Sequence, residues 1–394
     1  MSGRAAPVIT GLGVICAAGN GLAATLERLG CGERRAGPVT LFPSTIDVPV
    51  FEVRGFPGGD RFPGQRTLAL TLAALDEALA EARLSDTRGL RIGVCLGTTV
   101  ACQLNDLNFY RSYRETGAAP LLAAERFLKG NLAEYVAQKL GADGPALTVV
   151  NACSSGTDAI GIALSWLAGD LCDVVIAGGA DELNHIPLCG FHSLGIVNPG
   201  LCAPFDRDRK GLNLGEGAGL LVMETAASAG RRGIKAELTV NGFGARADAY
   251  HLTAPSPDGV GLRAALQIAL AGAGIAPAEV AFVNAHGTGT RDNDLVEGTV
   301  LAELFGPRIS VLSTKGYTGH TLGAAGGIEA VLTAAALRDG WIPASAGFVT
   351  RDEAIPLTPV RERTAVTGHF AVSTSLAFGG NNAALVIGRQ GSPC

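Results

Sequence analysis

Short apolar β-type runs alternate with long Ala/Leu-rich stretches along the whole 394-residue chain. A strand that is apolar on both faces must be covered on both sides, so this alternation specifies an α/β protein with buried strands. The pattern predicts strands over 8–12, 91–96, 146–150, 174–178, 219–224, 235–244, 282–285, 310–314, 370–374 and 383–387. Helices are predicted over 64–82, 127–140, 155–168, 260–271, 295–305 and 322–338. Within the first of these, Leu68, Leu72, Leu75 and Leu79 fall at three- and four-residue steps, one face of a helix. Glycine supplies 55 residues, about twice average usage, so the elements can pack backbone to backbone. With 47% apolar and only 17% charged residues, the chain has a large core and is not a disordered one.

The alternation repeats itself. Residues 149–169 read as a strand end, a small polar loop, an Ala-rich helix and a glycine; residues 311–340 read the same way. Two such βα units at matching places imply two similar halves, with the seam in the basic, Gly-containing stretch 229–235. The halves are therefore expected at 1–234 and 235–394. The apolar segment 5–18 superficially resembles the core of a signal peptide, but Gly11, Gly13 and Gly19 and its single preceding basic residue, Arg4, fit a buried strand and loop better. No other apolar run approaches the roughly 18 residues needed to span a bilayer.

Charge and cysteine content exclude further classes. Lys plus Arg total 31 and Asp plus Glu 36, a net charge of −5 that does not suit a dedicated nucleic-acid binder. Nine cysteines, with no C-x-x-C pair among them, support neither a disulfide framework nor a zinc knuckle, and place the chain in a reducing cytoplasm. Gly11-Leu12-Gly13 follows a strand without the third glycine of a dinucleotide fingerprint, and neither a P-loop nor a G-x-S-x-G elbow occurs.

Four places carry candidate chemistry. Cys153, in Asn151-Ala152-Cys153-Ser154-Ser155-Gly156, lies between a strand and a helix, where the helix end and free backbone N–H groups favour a nucleophilic thiolate. His286, in His286-Gly287-Thr288-Gly289-Thr290, and His320, in Lys315-Gly316-Tyr317-Thr318-Gly319-His320, each occupy a Gly/Thr loop after a strand. Lys315, read as ending its strand, has a plausible partner in Glu329, the acid of the following apolar helix. Phe378 sits beside Gly379-Gly380 in a loop that could carry a hinged gate. His185, His192, His251 and His369 are read as structural.

Taken in order, these blocks resemble the elongating β-ketoacyl-acyl-carrier-protein synthases, the condensing enzymes of fatty acid and type II polyketide synthesis. Also matching are Val8–Val14, Pro204-Phe205-Asp206, Gly215–Gly219, Asp248-Ala249-Tyr250-His251 and Gly323-Ala324-Ala325-Gly326. The resemblance implies the thiolase-like fold, two similar halves stacked as α-β-α-β-α layers, and a catalytic triad of Cys153, His286 and His320. It implies an oxyanion hole from the backbone N–H groups of Cys153 and Phe378. Lys315, with Glu329 behind it, is implied to order the histidines, Thr288 and Thr290 to bind the pantetheine amides, and Val100 to line the acyl pocket. Thiolases proper would show a second catalytic cysteine, and initiating synthases a His and Asn pair.

The implied reaction consumes no cofactor. An acyl group carried on the phosphopantetheine of an acyl carrier protein moves to Cys153, and malonyl carrier then loses CO₂ and attacks it. Carrier proteins are acidic, so Arg61, Arg66, Arg126 and Lys129 are expected to form a basic docking patch. A homodimer and a heterodimer with a chain-length partner both remain open. Because such partners usually lack the nucleophile, this chain reads as an active subunit. Ala377 and Asn381 stand where the family commonly has Gly and Thr, and Lys210 and Leu212 where many members have Asp and Phe. These departures bring a specialised polyketide or aryl polyene pathway into contention with fatty acid elongation.

Overall fold

The computed structural model describes residues 5–56, 64–99, 107–118 and 131–390. Its strands are β1 (Val8–Cys16), β2 (Gly19–Asn20), β3 (Ile92–Gly97), β4 (Ala146–Val149), β5 (Val174–Asp181), β6 (Gly217–Glu224) and β7 (Leu238–Ala247). They continue with β8 (Val280–Asn284), β9 (Ser310–Leu312), β10 (Trp341–Ile342), β11 (Thr364–Ala365), β12 (Phe370–Ala377) and β13 (Asn381–Arg389). The helices are α1 (Leu22–Gly30), α2 (Arg66–Glu81), α3 (Leu107–Thr116), α4 (Leu132–Leu140), α5 (Ser155–Ala168) and α6 (His185–Ser193). After them come α7 (Ala226–Arg231), α8 (Val260–Ala273), α9 (Arg291–Phe305), α10 (Lys315–Thr318) and α11 (Ala325–Asp339).

The sheet order is β4-β3-β5-β6-β1-β7-β13-β12-β8-β9. Its two halves meet only where β1 pairs with β7, at Val8 with Thr239 and Ile9 with Leu238. On either side of that corner the pattern is the same. In the first half, β4, β3 and β5 run parallel and β6 and β1 pair antiparallel. In the second, β9, β8 and β12 run parallel and β13 and β7 pair antiparallel. The duplication visible in the sequence is thus a duplication of topology.

Helices fill three layers around these sheets. α2 and α4 cover the outer face of the first half, and α8, with α9 against it, the outer face of the second. α5 and α11 lie between them and touch both halves and each other. α11 is buried on every side from Ala325 to Leu337, as a helix apolar all round must be. This is the thiolase-like arrangement of five layers. Glycine permits the crossing of the two central helices: a Cβ on Gly156 would lie 2.7 Å from the Gly327 nitrogen, and one on Gly326 2.0 Å from Thr157 Oγ1.

Three boundaries differ from expectation for local reasons. The strand over 310–314 ends at Leu312, and Lys315 opens the one-turn α10 instead of closing the strand. The helix over 322–338 divides into a 3₁₀ turn, Leu322–Ala324, and α11, because Leu322 adopts a φ of +55°. The described part of the helix over 127–140 begins at Leu132, and 127–130 lie outside the described residues. The segment 5–18 forms β1, buried along its whole length. Among the described residues no helix is long and apolar enough to cross a membrane.

Candidate active site

Each candidate residue sits just beyond the carboxyl end of a strand or in a turn, and the two sheet halves bring them together. The chain leaves β4 through a sharp elbow in which Ala152 is held at φ +48°, a conformation strained for a residue with a side chain. Ser155 pins that elbow: its hydroxyl accepts from the Asn151 N–H at 2.8 Å and donates to the Ala152 carbonyl at 2.6 Å. Cys153 is thereby set at the N-terminal end of α5 and is only 5% exposed.

The thiolate favoured by the sequence reading is not the resting state. Burial pushes the Cys153 thiol up to about 11, outweighing the Lys315 charge and a hydrogen bond from the Phe378 N–H, which act the other way. A negative charge on Sγ would face groups already placed to receive it. One is His320, whose Nε2 lies 3.1 Å from Sγ. Its Nδ1 accepts from the Leu322 N–H at 3.3 Å, which leaves the proton on Nε2 as a donor towards sulfur.

His286 follows β8, and its ring stands edge-on to His320 with centroids 5.3 Å apart. Lys315 Nζ donates to His286 Nδ1 at 3.1 Å, so this imidazole too carries its proton on Nε2. Burial, reinforced by the Lys315 charge, holds both histidines well below their ordinary value; His320 adds to the effect on His286. The site therefore presents two neutral imidazoles as N–H donors. Lys315, itself buried, forms an ion pair with Glu329 on α11. Burial pushes the Glu329 carboxyl up to about 7 despite that partner.

Thr288 and Thr290 line the approach, their hydroxyls 2.8 Å apart. Phe378 occupies a three-residue turn between β12 and β13, closed by the Gly380 N–H on the Ala377 carbonyl at 3.1 Å. Gly379 and Gly380 supply its positive φ values, +89° and +80°. The loop read as a possible seat for a hinged gate is thus a tight hairpin turn. The Phe378 ring stacks on Phe191 of α6 with centroids 5.3 Å apart. Together these residues line a cavity of about 500 Å³ that runs from buried Cys153 to exposed Lys210 and Arg291 at its rim.

Several supporting residues carried no isolated signal in the sequence. Glu297 on α9 accepts the His286 and Gly287 N–H groups, both at 2.8 Å, and the Thr374 hydroxyl at 2.7 Å. Asp181 accepts from Thr98, Thr99 and Gly323 and so ties the two halves beside Cys153. Arg209 donates to the carbonyls of Thr290 and Arg291, fixing the threonine loop. Glu297 shares α9 with Arg291, Asp292, Asp294 and Glu303, so nothing local in the sequence set it apart.

The expected basic patch requires correction. The Arg66 guanidinium makes a two-pronged pair with buried Glu216, at 2.7 and 2.6 Å, and is 21% exposed; it braces the core and is no free docking cation. Arg61, Arg126 and Lys129, and the pocket residue Val100, lie outside the described residues.

Residues 64–229 match the family model for the N-terminal domain of β-ketoacyl synthases, and residues 238–349 that for the C-terminal domain. A 3-oxoacyl-[acyl-carrier-protein] synthase 2 of Staphylococcus aureus is 33% identical, covering 98% of this chain and 99% of its own. Among solved structures, the ishigamide ketosynthase/chain length factor superposes with a TM-score of 0.93 at 30% identity, over 99% of this chain and 100% of that one. A ketosynthase in complex with its chain length factor from Xenorhabdus doucetiae gives 0.82 at 31% identity, over 98% of each chain.

Proposed function

The chain belongs to the β-ketoacyl synthase family, and from that membership we propose that it is a condensing acyltransferase extending a carrier-bound chain by two carbons. The observation that carries the reading is Cys153 held 3.1 Å from the N–H of one neutral imidazole, with a second imidazole at its side, at the buried end of a cavity. Cys153 attacks the acyl thioester of a loaded carrier protein. The C–S bond to pantetheine breaks, the Cys153 proton leaves with the departing thiol, and an acyl-Cys153 thioester remains. The N–H groups of Cys153 and Phe378 receive the negative oxygen of the tetrahedral intermediate.

Malonyl carrier then binds along Thr288 and Thr290. The Nε2–H groups of His286 and His320 point at the thioester oxygen on which charge accumulates as CO₂ departs. The resulting carbanion attacks acyl-Cys153, the bond from the acyl carbon to Sγ breaks, β-ketoacyl carrier is released, and the Cys153 thiolate takes a proton from water to regain the thiol. Decarboxylation drives the carbon–carbon bond, so no cofactor is required. The halves 1–234 and 235–394 divide the labour, the first bearing the nucleophile and the second both histidines and Lys315.

The solved relatives that pair a ketosynthase with a chain length factor favour a heterodimer in which this chain is the active half, since Cys153, His286, His320 and Lys315 are all present. A cytoplasmic setting suits its free thiols. The test is direct: with acyl and malonyl carriers, the protein should release CO₂ and a β-ketoacyl carrier two carbons longer. No product from any acyl donor, alone or with a chain-length subunit, would sink the reading.

The pH dependence follows from the carboxyl behind Lys315. Glu329 loses its proton as pH rises through about 7, and its anion then holds Lys315 against His286 Nδ1. Condensation is expected to rise with pH through that value. Both imidazoles are already neutral there and contribute no limb. In Glu329→Gln the limb near pH 7 should vanish from the kcat profile, which steady-state rates across that range would reveal.

A further inference from the structure

One departure from the family pattern has a partner. Asn381 follows the Phe378-Gly379-Gly380 turn, and its amide Nδ2 donates to Asn151 Oδ1 at 2.6 Å. Asn151 lies two residues before the nucleophile, so this bond runs from the turn carrying one oxyanion-hole N–H to the elbow carrying the other. The orientation of the Asn151 amide is not free. Its Nδ2 donates to Asp158 Oδ2 at 2.6 Å, and that carboxylate oxygen also accepts from the Ser154 hydroxyl at 2.8 Å. A carboxylate accepts only, so Asn151 must turn its nitrogen to Asp158 and its oxygen to Asn381. Asp158, in the first turn of α5, thus fixes the acceptor that Asn381 grips.

Apart from the Phe378 N–H, which reaches the Cys153 sulfur itself, the other bonds of the turn lead away from the nucleophile. The Gly379 N–H reaches the Leu252 carbonyl at 2.8 Å, the Gly380 carbonyl accepts from the Asp248 N–H at 2.7 Å, and Asn382 donates to Asp248 at 2.8 Å. They fix the turn to the 248–252 loop. They do not set its distance from Cys153.

We propose that Asn381, through Asn151 and Asp158, is a positioning residue that latches the Phe378 turn to the nucleophile elbow and so sets the width of the oxyanion hole. The proposal rests on the condensing reading above. A threonine hydroxyl at 381 would reach less far than the asparagine amide, so the residue that departs from the family is the one that spans the gap.

Hydrogen bonds between neutral groups change rates by roughly fivefold to tenfold when lost. The test compares Asn381→Leu, Asn381→Asp, Asn151→Leu and the Asn381→Leu/Asn151→Leu double variant with wild type in two reactions of Cys153. One is acylation by an acyl-pantetheine thioester, followed by intact mass, which needs the oxyanion hole. The other is alkylation by iodoacetamide, which does not. Each single variant should slow acylation about fivefold to tenfold, the double variant no further, and alkylation should stay within about twofold of wild type. Asn381→Asp keeps the size but exchanges the donor for a negatively charged acceptor, so an unchanged acylation rate in it tells against the bond even if the leucine variants fold poorly. Acylation at the wild-type rate in Asn381→Asp, losses that multiply in the double variant, or alkylation falling in parallel would each overturn the latch. A wild-type protein that takes no acyl group from any donor would instead overturn the condensing reading.

Discussion

Cys153→Ala is expected to abolish acyl loading and to lower condensation by about 10⁴-fold or more, because no other described thiol lines the cavity to take the acyl group. Among the described cysteines, Cys153 alone lines that cavity. Intact-mass spectrometry after incubation with acyl-carrier thioesters should show the adduct on wild type and none on the variant. The fold should survive: the change removes one sulfur atom from the helix end and leaves the Ser155 clamp on the elbow untouched. His286 and His320 also keep the partners that fix their tautomers, Lys315 and the Leu322 N–H. Slow release of CO₂ from malonyl carrier should therefore persist in the variant. Acyl adducts on Cys153→Ala would place the nucleophile elsewhere.

The sequence made this site partly legible because the fold encodes it in strands. Apolar runs and Ala-rich stretches marked the edge strands β4 and β9 and the helices after them, and those two βα units are the ones that meet at the site. Cys153, His286 and His320 stood out as polar residues among glycines at strand ends. What stayed hidden depends on distances across the two halves. Nothing local in Asn151 or Asn381 shows that they touch, since 230 positions separate them. Arg66 looked like surface charge because its partner Glu216 is 150 positions away. Helix α6, which brings Phe191 to Phe378, was missed because His185–Ser193 contains Pro187 and Gly190 and lacks an apolar stripe. The thiolate expectation failed for a related reason: a helix end can be read along the chain, but burial by the opposite half cannot.

His286→Ala should separate the two half-reactions that His320 serves jointly. His320 Nε2 lies 3.1 Å from Cys153 Sγ, whereas the hydrogen bond of the His286 ring runs to Lys315 and its backbone N–H bonds Glu297. Loss of the His286 ring therefore leaves the thiol, its Phe378 N–H and its His320 donor in place, and acylation should fall by less than about tenfold. Decarboxylation is a different matter. Two N–H donors are arranged to receive the charge that develops as CO₂ leaves, and removing one preorganised donor typically lowers the rate by about 10²–10³. Lys315 would also lose its Nδ1 acceptor, but it keeps Glu329, so the buried cation stays paired and the loss should fall on kcat rather than on folding. His320→Ala, by contrast, should slow both steps, because one ring faces both the sulfur and the malonyl site. Single-turnover acylation measured beside CO₂ release would distinguish the two variants. Equal losses in both steps for His286→Ala would mean that the rings act as one unit and that the division of labour drawn from their partners is wrong.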